Sequence, residues 1–224
     1  MSSRIWLIGN GASLKETPKH LLENEITMGV NKGHQWLMPD YYVKVDLSIF
    51  NGENTWKDEI IPMVNAGIPC LLWDRFRESV KNPRDGFYQW IPEGIGDYEN
   101  VTWVKHCDHR NYPPGHKSSA KQWHEPFCTA YNSISIMAQW AVKLGFEEIY
   151  LVGCDLIFTD GVTDHFMPYY SRVDSEYIER NQMMALAAHQ FIKDNCPIPV
   201  YNATIGGFLE VHERVDIREV LCDR

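Results

Sequence analysis

Two short stretches hold residue types that could work on a phosphate. The first is GNGAS at 9–13, which follows the apolar run IWLI. Gly9 and Gly11 permit positive φ angles and a close backbone approach, the two requirements of an anion-cradling nest. Ser13 can add a hydroxyl or cap a short helix whose N-terminal dipole favours an anion. This is not the dinucleotide fingerprint: the third glycine would fall at Leu14, and the second apolar run ends in Asn31 where an acid would hold a ribose. It is not a Walker loop either, because no Gly-Lys-Ser/Thr follows. A tight structural turn is the competing reading.

The second stretch is LIFTDGVTDHFMPYY at 156–170. His165 has the ordinary chemistry of a general base that takes a proton from an acceptor hydroxyl, with Asp164 beside it. Tyr169 and Tyr170 could stabilise a departing phosphate, while a plain surface loop is the alternative. Asp46, Asp155 and Asp164 also form a set of carboxylates able to hold Mg²⁺, as phosphoryl transfer from ATP requires. Against that, Asp46 and Asp155 could instead cap helices or bind backbone amides. Asn202 and Thr204, ahead of Gly206-Gly207, could touch a ligand or build a turn.

These residues need elements to place them. Runs at 5–9, 26–31, 41–46, 68–73, 147–153 and 198–203 read as apolar strands, alternating with helical patterns at 133–145, 174–194 and 215–222. Continuous apolar strands between helices predict an α/β fold with a mostly parallel sheet covered on both faces. In such a sheet ligands sit beyond the carboxyl ends of the strands. That is where 9–11, Asn31, Asp46, 153–155 and Asn202 fall. One domain over 1–224 is expected, with an irregular, lid-like insertion at about 75–125. Within it His106, Cys107, His109, His116 and His124 match no standard zinc spacing. Lys105, Arg110, Lys117 and Trp123 suit a lid that meets an acidic sugar or pyrophosphate better.

The net charge of −9 excludes a general nucleic-acid surface. No run is long enough to span a bilayer, and MSSRIWLIG lacks the apolar core of a signal peptide. Six scattered cysteines with no CxxC fit free thiols in the cytoplasm. A homo-oligomer is compatible with all of this.

Three blocks carry a family resemblance: GNGASLKE with Asn31, TAYNSISIMAQWAVKLGFEEIYLVGCDL, and YNATIGGFLEVHERVDIREVL. Together they resemble the superfamily of the family 42 bacterial sialyltransferases, the flagellin-modifying (Maf) proteins and the archaeal 6-hydroxymethylpterin diphosphokinases. The resemblance implies a three-layer α/β/α sandwich, Rossmann-like and GT-A-like, that needs no metal cofactor. It implies donor phosphate and sugar contacts at Asn10, Ser13 and Asn31, and a nucleoside wall at Gly153, Cys154, Asp155 and Leu156. Thr129 and Asn132 would contact phosphate, and His165 would be the base. Asp46 departs from the pattern, since the sialyltransferases carry a neutral amide there. The implied activity is transfer from a nucleotide-activated sugar, foremost a CMP-linked nonulosonic acid, to a glycan or other hydroxyl acceptor. The alternatives are a Mg²⁺-dependent pterin-type diphosphokinase, with Asp46 and Asp155 as metal ligands, and a non-catalytic nucleotide-binding module.

Overall fold

The computed structural model describes residues 3–45, 56–74, 98–104, 106–107, 127–128, 132–156, 166 and 175–222. Five strands run in order outward from the chain's start: β1 (Arg4–Ile8), β2 (Thr27–Val30), β3 (Tyr41–Lys44), β4 (Cys70–Trp73) and β5 (Val101–Val104). A short parallel pair, β6 (His106–Cys107) and β7 (Phe127–Cys128), stands apart from them. The chain then returns to the other side of β1 with β8 (Glu148–Val152), β9 (Val200–Asn202) and β10 (Glu213–Arg214). The resulting eight-stranded sheet has the order β10-β9-β8-β1-β2-β3-β4-β5, and every pairing in it is parallel.

The helices are α1 (Gly33–Trp36), α2 (Ile61–Asn65), α3 (Ser133–Lys143), α4 (Ser175–Asn195) and α5 (Ile217–Cys222). Strand periodicity sorts the core into two layers. From β1, Ile5 and Leu7 join Ile149 and Leu151 of β8 on one face, packed by Met63, Ile136, Met137, Ala188 and Ile192 of α2, α3 and α4. Trp6 and Ile8 join Tyr150 and Val152 on the other face, with Leu14, Leu22, Leu37 and Ile217. A sheet apolar on both faces must be covered twice, which gives the three-layer α/β architecture expected from its continuous apolar strands.

Within the stretch 75–125, read from sequence as irregular, a described segment is regular. Val101–Val104 is a strand that extends the sheet edge beyond β4, in register Cys70 to Val101 through Trp73 to Val104. Its burial is partial, as befits an edge strand, and four residues are too few to show a period in sequence. Trp103 there packs against the core. Among the described residues, no helix is long and apolar enough to cross a membrane.

Candidate functional site

The strand order reverses between β1 and β8. At such a switch point the loops leaving two neighbouring strands diverge to opposite faces and open a crevice at the carboxyl edge. The β1 loop carries Gly9, Asn10, Gly11 and Ser13; the β8 loop carries Gly153, Cys154, Asp155 and Leu156. Sequence reasoning gathered these residues from positions over 140 apart, and the fold brings them together.

They meet through main chain. Gly9 N–H donates to Val152 O at 2.8 Å and Gly11 N–H to Gly153 O at 2.9 Å, so the β1–β8 ladder continues past the strands into the loops. Ser13 then gives both its N–H (2.8 Å to Oδ2) and its hydroxyl (to Oδ1) to the Asp155 carboxylate. Asp155 is only 4% exposed, so these bonds to an ionised carboxylate replace its lost water. They fix the first turn of the 3-10 helix Ala12–Lys15, which has no side-chain cap of its own.

Of the two properties expected of Gly9 and Gly11, the structure uses close approach and not positive φ. Gly11 sits at φ −66°, an ordinary angle, and Gly9 is not among the positive-φ glycines. Space is what they supply: a Cβ on Gly11 would lie 2.6 Å from the Asp155 carboxylate, and one on Gly9 would strike the Gly153 carbonyl. On the other side, Gly207 has φ +71°, and a Cβ there would come within 2.5 Å of Asp155 O. The loops are therefore interlocked around Asp155, with Phe208 N–H donating to its carbonyl at 2.7 Å.

Leu156 follows with φ 53° although it is not glycine. A buried leucine in the left-handed region stores strain of order 1–3 kcal/mol, which persists only where the surroundings impose it. Cys154 is buried. Burial, with the Asp155 charge second, pushes its thiol well above the ordinary range. Its N–H bonds to Thr204 Oγ1 at 3.1 Å.

Asn202 is wholly buried and uses its amide on the chain: Nδ2 donates to Leu209 O at 2.7 Å and Oδ1 accepts Thr204 N–H at 3.0 Å. Arg214 clamps the same segment, donating to the carbonyls of Thr204, Gly206 and Gly207. Asn132 is the N-cap of α3, its side chain accepting Ile134 N–H at 3.0 Å. A helix leading into a parallel strand begins at the carboxyl edge, so this cap lies at the ligand side of the sheet.

Asn31 ends β2 with φ 51°, beside the glycine loop: a Cβ on the neighbouring Gly33 would lie 3.6 Å from Gly9 O and 3.8 Å from Asn10 Oδ1. Asn31 O accepts Tyr42 Oη–H at 3.0 Å and lies 2.9 Å from His34 Nδ1. Its Oδ1 accepts from Lys44 Nζ at 3.0 Å, and Lys44 pairs with Glu59 at 2.7 Å. Sequence reasoning missed Lys44 and Glu59. The available signal was a lone lysine inside the apolar strand YYVKV, which demands a buried partner.

His165, Asp164, Tyr169, Tyr170, Asp46 and Thr129 lie outside the described residues, as does the basic and histidine-rich stretch 108–124. Phe166, which follows His165 in sequence, is described: it is buried, and its N–H donates to Asn10 O at 3.0 Å. Among the described residues, no three His, Cys, Asp or Glu side chains gather as metal ligands, and both Asp155 oxygens are occupied by Ser13.

No family model matches the chain, and no curated protein matches it in sequence. Among solved structures it is similar to one described as the Maf glycosyltransferase from Magnetospirillum magneticum AMB-1, with a TM-score of 0.55 at 14% identity. The likeness covers 97% of this chain and 34% of that one, so the chain spans about a third of that protein's length. The shared property is the fold, a Rossmann-like α/β sheet with helices on both faces.

Proposed function

We propose that the chain is a glycosyltransferase that takes a nucleotide-activated sugar at the carboxyl edge of the sheet, against the joined β1 and β8 loops, with a CMP-linked nonulosonic acid as the preferred donor. The observation that carries this reading is the interlocked pair of loops at the switch point, where open parallel sheets bind nucleotides. The fold likeness to a Maf glycosyltransferase supports it, as does the motif resemblance of the sequence blocks. Asn10 and Asn31 line the phosphate and sugar side, where Ser13, with its N–H and hydroxyl both given to Asp155, holds the loop in shape; Gly153 to Leu156 form the wall for the nucleoside.

In the proposed reaction His165 takes the proton of the acceptor hydroxyl as its oxygen attacks the anomeric carbon. The bond from that carbon to the donor phosphate oxygen breaks, and the electron pair leaves with the nucleotide. Tyr169 and Tyr170 hydrogen-bond the leaving phosphate, while Thr129 and Asn132 supply contacts from the start of α3. The tether from Phe166 N–H to Asn10 O supports the assignment of His165, because it ties the next residue to the glycine loop. Asn202 and Thr204 act by holding the loop that flanks Cys154. Transfer is proposed to need no metal; Asp155, one of the carboxylates considered as a cation ligand, instead accepts two hydrogen bonds from Ser13.

Thermal shift with CMP, CDP, UDP, GDP and ATP, each with Mg²⁺ and with EDTA, tests the reading, because a ligand that binds only the native state raises the midpoint. Stabilisation by CMP in EDTA is expected. A shift with ATP alone that vanishes in EDTA overturns it in favour of a diphosphokinase, and silence toward every nucleotide overturns both. His165→Ala is expected to abolish transfer and keep CMP binding.

A further inference from the structure

Lys44 is a lysine with no solvent exposure at the carboxyl end of β3, paired with a Glu59 that is 2% exposed. Burying two charges costs several kcal/mol per ion, and an apolar pair of similar volume commonly serves stability as well or better. Stability alone therefore gives a weak reason for this pair, and its geometry gives a stronger one. The ammonium lies 3.0 Å from Asn31 Oδ1. Rotating that amide by half a turn would set an NH₂ donor against an NH₃⁺ donor, so the side chain has a single allowed orientation. The backbone is fixed too, in the left-handed region with its carbonyl bound by Tyr42. With the oxygen held, Nδ2 is directed away from Lys44, and among the described residues no acceptor meets it. Asn31 itself is half-buried, on the turn that abuts Gly9 and Asn10.

We propose that Lys44 and Glu59 are positioning residues that lock the Asn31 amide with its NH₂ toward the ligand, so that the site selects an anionic oxygen (phosphate or carboxylate) of the donor. Glu59 cancels the lysine charge, so the pair sets orientation and adds no net attraction. This rests on the nucleotide-sugar reading above for the identity of the ligand, and on this chain's own geometry for the lock.

Two variants test it, each followed by calorimetric titration with CMP and by the side-chain amide signals of ¹⁵N-labelled protein. Lys44→Met with Glu59→Met removes both charges together; the double variant is expected to melt near the parent, bind CMP about tenfold or more weakly, and lose the distinct Asn31 amide pair. Asn31→Asp keeps an oxygen for Lys44 and tolerates the left-handed backbone, while it replaces the NH₂ donor with a second, anionic oxygen. It is expected to fold normally and lose CMP binding by a similar factor. Parent-like CMP affinity in either variant overturns the proposal. If the parent itself binds no nucleotide, the nucleotide-sugar reading falls. The amide signals then decide the lock alone: an Asn31 pair unchanged in the double variant overturns it, and an altered pair upholds it.

Discussion

The same strands end in two different ways. At the amino end of β1, Arg4 is buried with every nitrogen used: Nε and Nη2 each lie 2.7 Å from Glu25, and Nη1 donates to Val220 O at 3.0 Å. The guanidinium also sits 5.7 Å from the Trp6 ring centre and 6.0 Å from that of Tyr150. Trp6, Tyr150 and Tyr201 stack in a row across three neighbouring strands. Trp6 Nε1–H goes to Glu25 as well. At the carboxyl end of β1 and β8 no aromatic stack occurs among the described residues. Glycines there let loops touch, Leu156 and the neighbouring Asn31 sit at positive φ, and among the described residues no acceptor meets the Asn31 NH₂. One edge is closed by side chains that satisfy each other. The other is held rigid through its backbone while polar groups remain available, and that is the arrangement a binding edge requires.

The largest expected effect is at the closed edge. Arg4→Leu leaves the part-buried Glu25 without its charge partner, and is expected to cost about 3 kcal/mol in urea unfolding. Ligand affinity should be unchanged in the fraction that stays folded. Asp155→Ala is expected to cost less, about 1.5–3 kcal/mol, through the lost bonds to Ser13. It should nevertheless remove nucleotide binding, since the glycine loop loses its anchor. If Arg4→Leu weakened binding and Asp155→Ala did not, the division between the edges would be wrong.

A third effect is graded with pH. His189 of α4 and His212, just before β10, are buried with Nδ1 and Nε2 3.3 Å apart. Burial, with the neighbouring histidine second, lowers His189 to about 3; burial, with Lys193 second, lowers His212 to about 4. Both are neutral in the native state at pH 6, whereas unfolded histidines take up protons below about 6.5. Between those limits the unfolded state binds more protons, so stability must fall as pH falls from about 6.5 toward 4 and 3. Urea midpoints across pH 4–7 should show this slope, flattened in a His189→Leu/His212→Leu variant. The smallest effect is expected at Phe208, 69% exposed on the glycine turn: Phe208→Ser should change stability by no more than about 0.5 kcal/mol.

Much of this was legible in the sequence. The strands announced themselves because a parallel sheet buried on both faces needs unbroken apolar runs, whereas the strand order, and with it the switch point, emerges only from the strand pairings. The glycines were found for an incomplete reason, since sequence marks a small residue without saying whether φ or space demands it. At Gly11 it is space, taken by a carboxylate from far along the chain. Both roles for Asp155 were open, because an acid after a strand can hold a cation or an amide, and only the partner decides. Lys44 and Glu59 could not be paired by reading, because their link runs from a strand to a helical segment 15 residues on. β5 escaped through shortness.

The central claim is that the ligand binds at the carboxyl edge between β1 and β8. Backbone amide shifts of the ¹⁵N-labelled protein titrated with CMP test it most directly. Saturable shifts are expected at Gly9–Ser13, Asn31 and Gly153–Leu156, with Arg4, Glu25 and Tyr201 unmoved. Shifts centred on Arg4 and Glu25, or none at any residue, would contradict it.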